Sequence, residues 1–374
     1  MISFKLNTRQ VQKLKTIHAL FVEANIALNN FSEEKKAFIK KQSLISNIGA
    51  STRIENAVLT NIEIDWVDTV LSVSDAETYE KNEDYIKDKL SKDKQRSIEE
   101  VAGYRDAINI VYDVFDKSNV LRESGIKGLH RELMKFYSKA SHYSGNYKTQ
   151  MNNVVEINGI TGKQKNVLTT ADPGVITHTS MSGLVSWFNK TVGEEAWIIP
   201  VAVEFIFRFL AIHPFQDGNG RLSRLLFQQI LINSEDDHIS KLIPYVAIDR
   251  NIEINRSQYY QQLRKCSDGM FNPDSTTYQY HYFLDYMLEV LTGSIQNLNY
   301  YSEKYDNYFS LNETDIKVYT CFKEEPERNL QTKDIVEATG LPRRTIIYAL
   351  NKLIEKQFLQ MMGSGPSVKY KLVF

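Results

Sequence analysis

"HPFQDGNGRLSR", residues 213–224, places a histidine, an acid, an asparagine, two glycines and two arginines within twelve positions. Apolar segments with helical spacing flank it, Trp197 to Ile212 before and "LSRLLFQQILIN" after, so the stretch reads as helix, tight loop, helix. Gly218 and Gly220 let the backbone turn sharply and approach a ligand without a Cβ in the way. The loop then feeds a helix N-terminus, where unpaired N–H groups and the helix dipole favour an anion. Arg221 and Arg224, three apart, lie on one side of that helix and can grip a polyphosphate together. Asp217 is a hard oxygen ligand suited to Mg²⁺ beside phosphate oxygens. Asn219 can donate to a phosphate oxygen, and His213 can accept a proton from an incoming hydroxyl. Together they describe phosphoryl or nucleotidyl transfer. The pattern is no Walker A loop, which needs Gly-Lys-Ser/Thr after its spacer. A loop that only caps helices needs one or two such residues.

The rest of the chain bounds the setting. Its 374 residues suit two or three domains, and 42% apolar residues can fill real cores. No apolar run reaches the length of a membrane span, and "MISFKLNTRQVQKLK" has no signal-peptide core. Two distant cysteines, Cys266 and Cys321, form neither a disulfide framework nor a metal pattern, which points to a reducing cytoplasm. A net charge of −1 argues against a protein that coats nucleic acid or an anionic membrane. Most of the chain has helical spacing, as at Val11, Leu14, Ile17, Leu20 and Phe21. The charged run 75–100 reads as a solvated helix or connector. "VVEINGITG" reads as a β-hairpin turning at Asn158-Gly159.

"HPFQDGNGR" resembles the signature of the Fic family, and Arg224 is similar to the second arginine of its extended form. "GNYK", 145–148, resembles a second family segment, with Lys148 where arginine is usual. The resemblance implies a mainly α fold: a Fic-type helical core carrying a short hairpin flap, from about Asn153 to Thr161, that holds a target segment. It implies AMP transfer from ATP, with Mg²⁺, to a Tyr, Thr or Ser hydroxyl of a protein. His213 would be the base and Asp217 the metal ligand. Gly218, Asn219 and Gly220 would lie at the α- and β-phosphates, with Arg221 and Arg224 at the β/γ side. Pro214 and Phe215 would set and anchor the loop. "IEINRSQYYQQL", 252–263, is similar to the helix closing the nucleotide pocket, with Tyr259 and Tyr260 toward adenine. His130, in "GLHRELM", is expected to be structural.

"STRIEN", 51–56, resembles the family's inhibitory motif, with Ser51, Glu55 and Asn56 at its fixed positions. A Glu55 carboxylate aimed at Arg224 would take the arginine a γ-phosphate needs and leave the α-phosphate misplaced for in-line attack. Self-modification and a homodimer are further expectations of the resemblance.

The last sixty residues look separate. "TKDIVEATG" reads as a short helix with Thr332 as N-cap and Gly340 as stop, "LPRRTIIYALNKLIEKQ" as a second helix, and the end as two strands around Gly-Ser-Gly-Pro. Helix, turn, helix and hairpin make a winged-helix pattern. From residue 332 onward there are seven Lys/Arg against three acids, and Arg343, Arg344 and Thr345 open the helix that would meet DNA. The expected division is 1–98 with the inhibitory motif, 99–305 as catalytic core and 306–374 as winged helix. The competing readings are a DNA-binding regulator using the core as a nucleotide sensor, and an enzyme that transfers another group or removes AMP.

Overall fold

The computed structural model describes the whole chain except residues 73–78, 114–118 and 158–161. Helices dominate. In chain order they are α1 (Thr8–Asn29), α2 (Glu33–Ile54), α3 (Asn61–Ser72), α4 (Tyr79–Lys89), α5 (Gln95–Asp113) and α6 (Glu123–Met134). A hairpin follows, β1 (Asn153–Ile157) and β2 (Gln164–Thr169), then α7 (Val175–Thr191), α8 (Ile198–Ile212) and α9 (Asn219–Ile232). Next come α10 (Asp237–Leu242), α11 (Ile248–Ile254), α12 (Arg256–Ser267) and α13 (Tyr280–Phe309). The chain closes with α14 (Glu313–Lys323), α15 (Thr332–Thr339), α16 (Arg343–Glu355) and the strands β3 (Leu359–Met362) and β4 (Lys369–Leu372).

The chain forms two compact units. The first joins Met1–Ala57 to Glu99–Leu298, and the second joins Val58–Ile98 to Asn299–Phe374. The linear division expected from sequence does not follow this grouping. Residues 58–98 meet the C-terminal segment through ion pairs: Lys94 with Glu327 (2.9 Å), Lys89 with Glu325 (3.4 Å) and Asp65 with Lys323 (3.7 Å). Partners more than two hundred positions apart leave no periodic trace in a sequence.

In the first unit α8 is the central rod. Its sequence IIPVAVEFIFRFLAI is apolar on nearly every face, and thirteen of its fifteen residues are buried, as expected of a helix surrounded by others. It packs against α7 and α9. α2 lies along α11 and buries Ile45, Ile48 and Ile54. Its start is fixed by Ser32, whose side chain accepts from the Lys35 N–H.

β1 and β2 are antiparallel, from Asn153 opposite Thr169 to Ile157 opposite Gln164, with an irregularity at Val154/Val155. The return strand is therefore Gln164–Thr169, later than an Asn158-Gly159 turn requires; that turn lies outside the described residues. The far edge of β2 is covered at Thr169, which exchanges hydrogen bonds with Gly269 and Phe271.

In the second unit α14, α15, α16 and the β3–β4 hairpin enclose Val318, Phe322, Ile335, Ile346, Leu350, Leu353 and Phe358. α15 is capped by Gln331 rather than Thr332, because the Asp334 carboxylate accepts the Gln331 N–H at 2.7 Å. Gly340, at φ 68°, ends that helix.

Candidate active site

α8 ends at His213, whose backbone turns left-handed (φ 53°) while its N–H still donates to the Phe209 carbonyl (2.8 Å). Burial, and then the nearby Lys148 ammonium, pulls the imidazole down to about 3, so the ring is neutral. Its Nδ1 lies 3.3 Å from the Leu210 carbonyl. A carbonyl oxygen can only accept, so Nδ1 carries the proton and Nε2 keeps its lone pair.

The loop is braced from several sides. Phe215 is fully buried and stacks on the His130 ring at 3.9 Å. The Lys148 N–H donates to the Pro214 carbonyl (2.7 Å), and Tyr147 bridges Phe215. His130 is structural. Burial lowers it to about 4, its Nδ1 accepts the Gly145 N–H (2.9 Å), and Nε2 therefore donates to the Asp217 carbonyl (3.0 Å). Gly218 sits at φ 79°, and a Cβ there would lie 3.1 Å from Met134 Sδ.

Asn219 is tied to the loop it belongs to. Its Oδ1 accepts the Phe215 N–H (2.9 Å), its Nδ2 donates to the Phe215 carbonyl (2.6 Å), and it is 1% exposed. Both ends of the amide close the loop on itself, and these bonds leave the second Nδ2 hydrogen and the backbone N–H of Asn219, which lines the cavity, for an anion. α9 starts here, and the N–H groups of its first turn have no acceptor within the helix.

The two arginines are likewise not joined on one group. Arg221 is 2% exposed, 3.6 Å from Asp217 and 3.9 Å from Glu100, and its Nε and Nη1 make no hydrogen bond. Arg224 is equally buried but tightly held: Nε donates to Ser51 Oγ (2.7 Å), and Nη2 to the Ser51 carbonyl and Glu55 Oε1 (both 2.9 Å). Its Nη1 is buried without a partner. Burial opposes the guanidinium charge, but surrounding groups, Glu55 foremost, outweigh it and raise the pKa.

Glu55 follows the last residue of α2, and Asn56 reverses the chain at φ 72°. The turn is fastened by a two-pronged ion pair, Arg53 to Glu253 (2.6 and 2.9 Å), and by Arg256 donating to Asn56 Oδ1 (3.0 Å). A Cβ on Gly220 would collide with Glu55 Oε1, so the carboxylate stands directly over the first turn of α9.

A cavity of about 200 Å³ gathers these parts. His213, Asp217, Gly218, Asn219, Gly220 and Glu55 line it, with Tyr259, Tyr260 and Leu263 from α12 and Asn152–Val155 at the hairpin. Arg221 and Arg224 are not on its wall. Tyr259 and Tyr260 are both buried, and burial pushes the Tyr259 phenol up to about 12. Sequence reasoning missed Asn152, Thr170, Arg53, Glu253 and Arg256. Arg53 and Glu253 are two hundred positions apart, and nothing in either segment marks the other.

Residues 120–231 match the Fic/DOC family. The chain carries a Fic domain. It resembles "Protein adenylyltransferase Fic" of Drosophila mojavensis, 32% identical over 87 residues, which cover 23% of this chain and 15% of that protein. The Aedes aegypti protein of the same name is 30% identical over 93 residues, 25% of this chain and 17% of its own. The match thus spans about a sixth of these relatives' length. Two solved structures share the fold. A Fic family protein of Desulfovibrio desulfuricans is 20% identical with TM-score 0.58, over 100% of this chain and 98% of that one. A Fic domain containing signalling protein of Bacteroides thetaiotaomicron is 19% identical with TM-score 0.55, over 78% and 97%.

Proposed function

We propose that this Fic domain transfers AMP from ATP to a hydroxyl of a protein, and that Glu55 holds the reaction back. The observation that carries the reading is the neutral His213, whose Nε2 lone pair belongs to a cavity closed by a helix N-terminus. The target hydroxyl gives its proton to His213 Nε2 as its oxygen forms a bond to the α-phosphorus. The bond to the β-phosphate oxygen breaks, and pyrophosphate leaves with the electron pair. The N–H groups opening α9 meet the phosphate charge. Tyr259 and Tyr260 flank the base end. Asp217 fits a magnesium ion: 39% of its side chain is exposed at the cavity, and Mg²⁺ commonly takes one or two carboxylates plus phosphate oxygens. When bound, that ion would neutralise phosphate charge.

The Glu55–Arg224 pair supports the restraint. Pockets for ligands of drug size run to about 300–1,000 Å³, and this cavity, with Glu55 in its wall, holds about 200 Å³. Withdrawal of Glu55 would enlarge it and release an arginine for the far phosphates. The hairpin offers the open edge of β1 to an extended target, since Gly269–Phe271 cover β2. With Glu55→Gly, label from α-labelled ATP should enter protein and label from γ-labelled ATP should not. The reverse pattern would make the enzyme a phosphotransferase.

A second reading concerns the C-terminal unit, taken as a winged helix. Arg343, Arg344 and Thr345 are all exposed at the start of α16, and Lys369 and Lys371 on β4, an arrangement that can meet DNA phosphates. Arg343→Ala/Arg344→Ala should abolish retardation of duplex DNA at low salt. Equal mobility shifts for parent and variant would remove these arginines from the interface.

A further inference from the structure

Lys148 is 2% exposed, yet it takes no part in the chemistry above. Its ammonium donates three hydrogen bonds, the full capacity of the group. The acceptors are the Ile212 carbonyl (3.0 Å), Asn152 Oδ1 (2.9 Å) and Thr170 Oγ1 (2.8 Å). Ile212 is the residue before His213, Asn152 directly precedes β1, and Thr170 directly follows β2. One buried charge therefore joins the end of α8 to both legs of the hairpin. Neighbouring bonds complete the knot. Thr170 Oγ1 donates to the Asn152 carbonyl (2.5 Å), Asn152 Nδ2 donates to the Phe215 carbonyl (2.7 Å), and the Lys148 N–H donates to the Pro214 carbonyl (2.7 Å).

We infer that Lys148 is the positioning residue that fastens both feet of the hairpin to the carbonyl in front of His213. The inference rests on the reading of His213 as base and of the hairpin as the element that presents the target. A strand that presents a hydroxyl must be registered against the base, because an error of about 1 Å can cost on the order of a hundredfold in rate. Apolar packing slides more easily than three directed hydrogen bonds from a buried charge. The same ammonium bears on the base electrostatically, since it helps keep the His213 ring neutral. Burial in turn lowers Lys148 to about 8.

The test uses the full chain carrying Glu55→Gly, with Lys148→Met, Lys148→Arg or Thr170→Val added. Three readouts are taken: self-labelling from α-labelled ATP, trypsin cleavage after the exposed Lys165 of β2, and the ¹⁵N resonances of His213. Lys148→Met should lower the maximal labelling rate at least about tenfold, leave the KM for ATP within about twofold, hasten cleavage and move the His213 signals. Lys148→Arg should recover most of the rate. Thr170→Val, which removes one acceptor of three, should fall between and decides the matter if the methionine variant does not fold. A folded Lys148→Met with parental labelling, cleavage and His213 signals overturns the inference, as does an arginine variant no better than methionine. If the Glu55→Gly parent does not label at all, AMP transfer is wrong, while cleavage and the His213 signals still judge Lys148.

Discussion

The two ends of residues 213–224 stand in opposite states. At one end the His213 ring makes one hydrogen bond, to the Leu210 carbonyl, which fixes its tautomer and leaves Nε2 with its lone pair. At the other end Arg224 is engaged by Ser51 and Glu55 through three hydrogen bonds of 2.7–2.9 Å. The proposed base has a lone pair to offer, while the proposed anion grip is occupied. On the proposed reading, removal of the Glu55 carboxylate is the step that would release the site, since it takes away the one charged partner among the three bonds. Arg221, one turn earlier on α9, sharpens the contrast. It is as buried as Arg224, but its carboxylates stand at 3.6 and 3.9 Å and two of its nitrogens are unpartnered. The close engagement by Glu55 is therefore specific to one arginine.

The largest expected break lies at the free end. In a Glu55→Gly background, His213→Ala should lower labelling by roughly 10²–10⁴-fold, the usual worth of a positioned general base. Retention of the parental rate would mean that another group takes the proton. A smaller effect is expected at the occupied end. Ser51→Ala deprives the Arg224 Nε of its acceptor in a buried place, at a cost of about 1.5–3 kcal/mol. With Glu55 intact, this variant should unfold at lower temperature and label roughly tenfold faster than wild type, as tenfold corresponds to about 1.4 kcal/mol of loosened restraint. Unchanged labelling with lowered stability would leave Glu55 as the whole brake.

The smallest effect concerns acid. His130 and His213 are held near 4 and 3 by burial, against about 6.5 in an unfolded chain. Between those values the unfolded chain binds more protons, so stability rises with pH. The contribution is fully present above about pH 6.5 and is lost as pH falls through the folded values. Urea unfolding at pH 7 and pH 4.5 should show this loss, and His213→Ala should show a shallower one.

The loop, the helices around it and the Glu55–Arg224 approach were legible because each is written in a short motif or a regular spacing. A motif names residue types and not their local obligations: four positions from Asn219, the Phe215 backbone engages both ends of its amide, a tie the motif does not announce. The i, i+3 spacing put Arg221 and Arg224 on one side of α9. Apart from Asp217 in the loop itself, their different partners come from α5 and from the end of α2, more than a hundred positions upstream. The hairpin was visible, but its register was not: an Asn-Gly pair predicts the shortest turn, whereas Ile157 stands opposite Gln164. The three bonds of Lys148 are a tertiary coincidence of three segments, and only the unusual lysine marked the place.

One comparison tests the account most directly: the initial rate of self-labelling from α-labelled ATP by wild type and by Glu55→Gly, at equal protein and magnesium. The account predicts a rise of about a hundredfold, on the order of 3 kcal/mol of relieved misplacement. Equal rates in two folded proteins would contradict it, and the Glu55–Arg224 pair would then be an ordinary half-buried ion pair with no hold on the reaction.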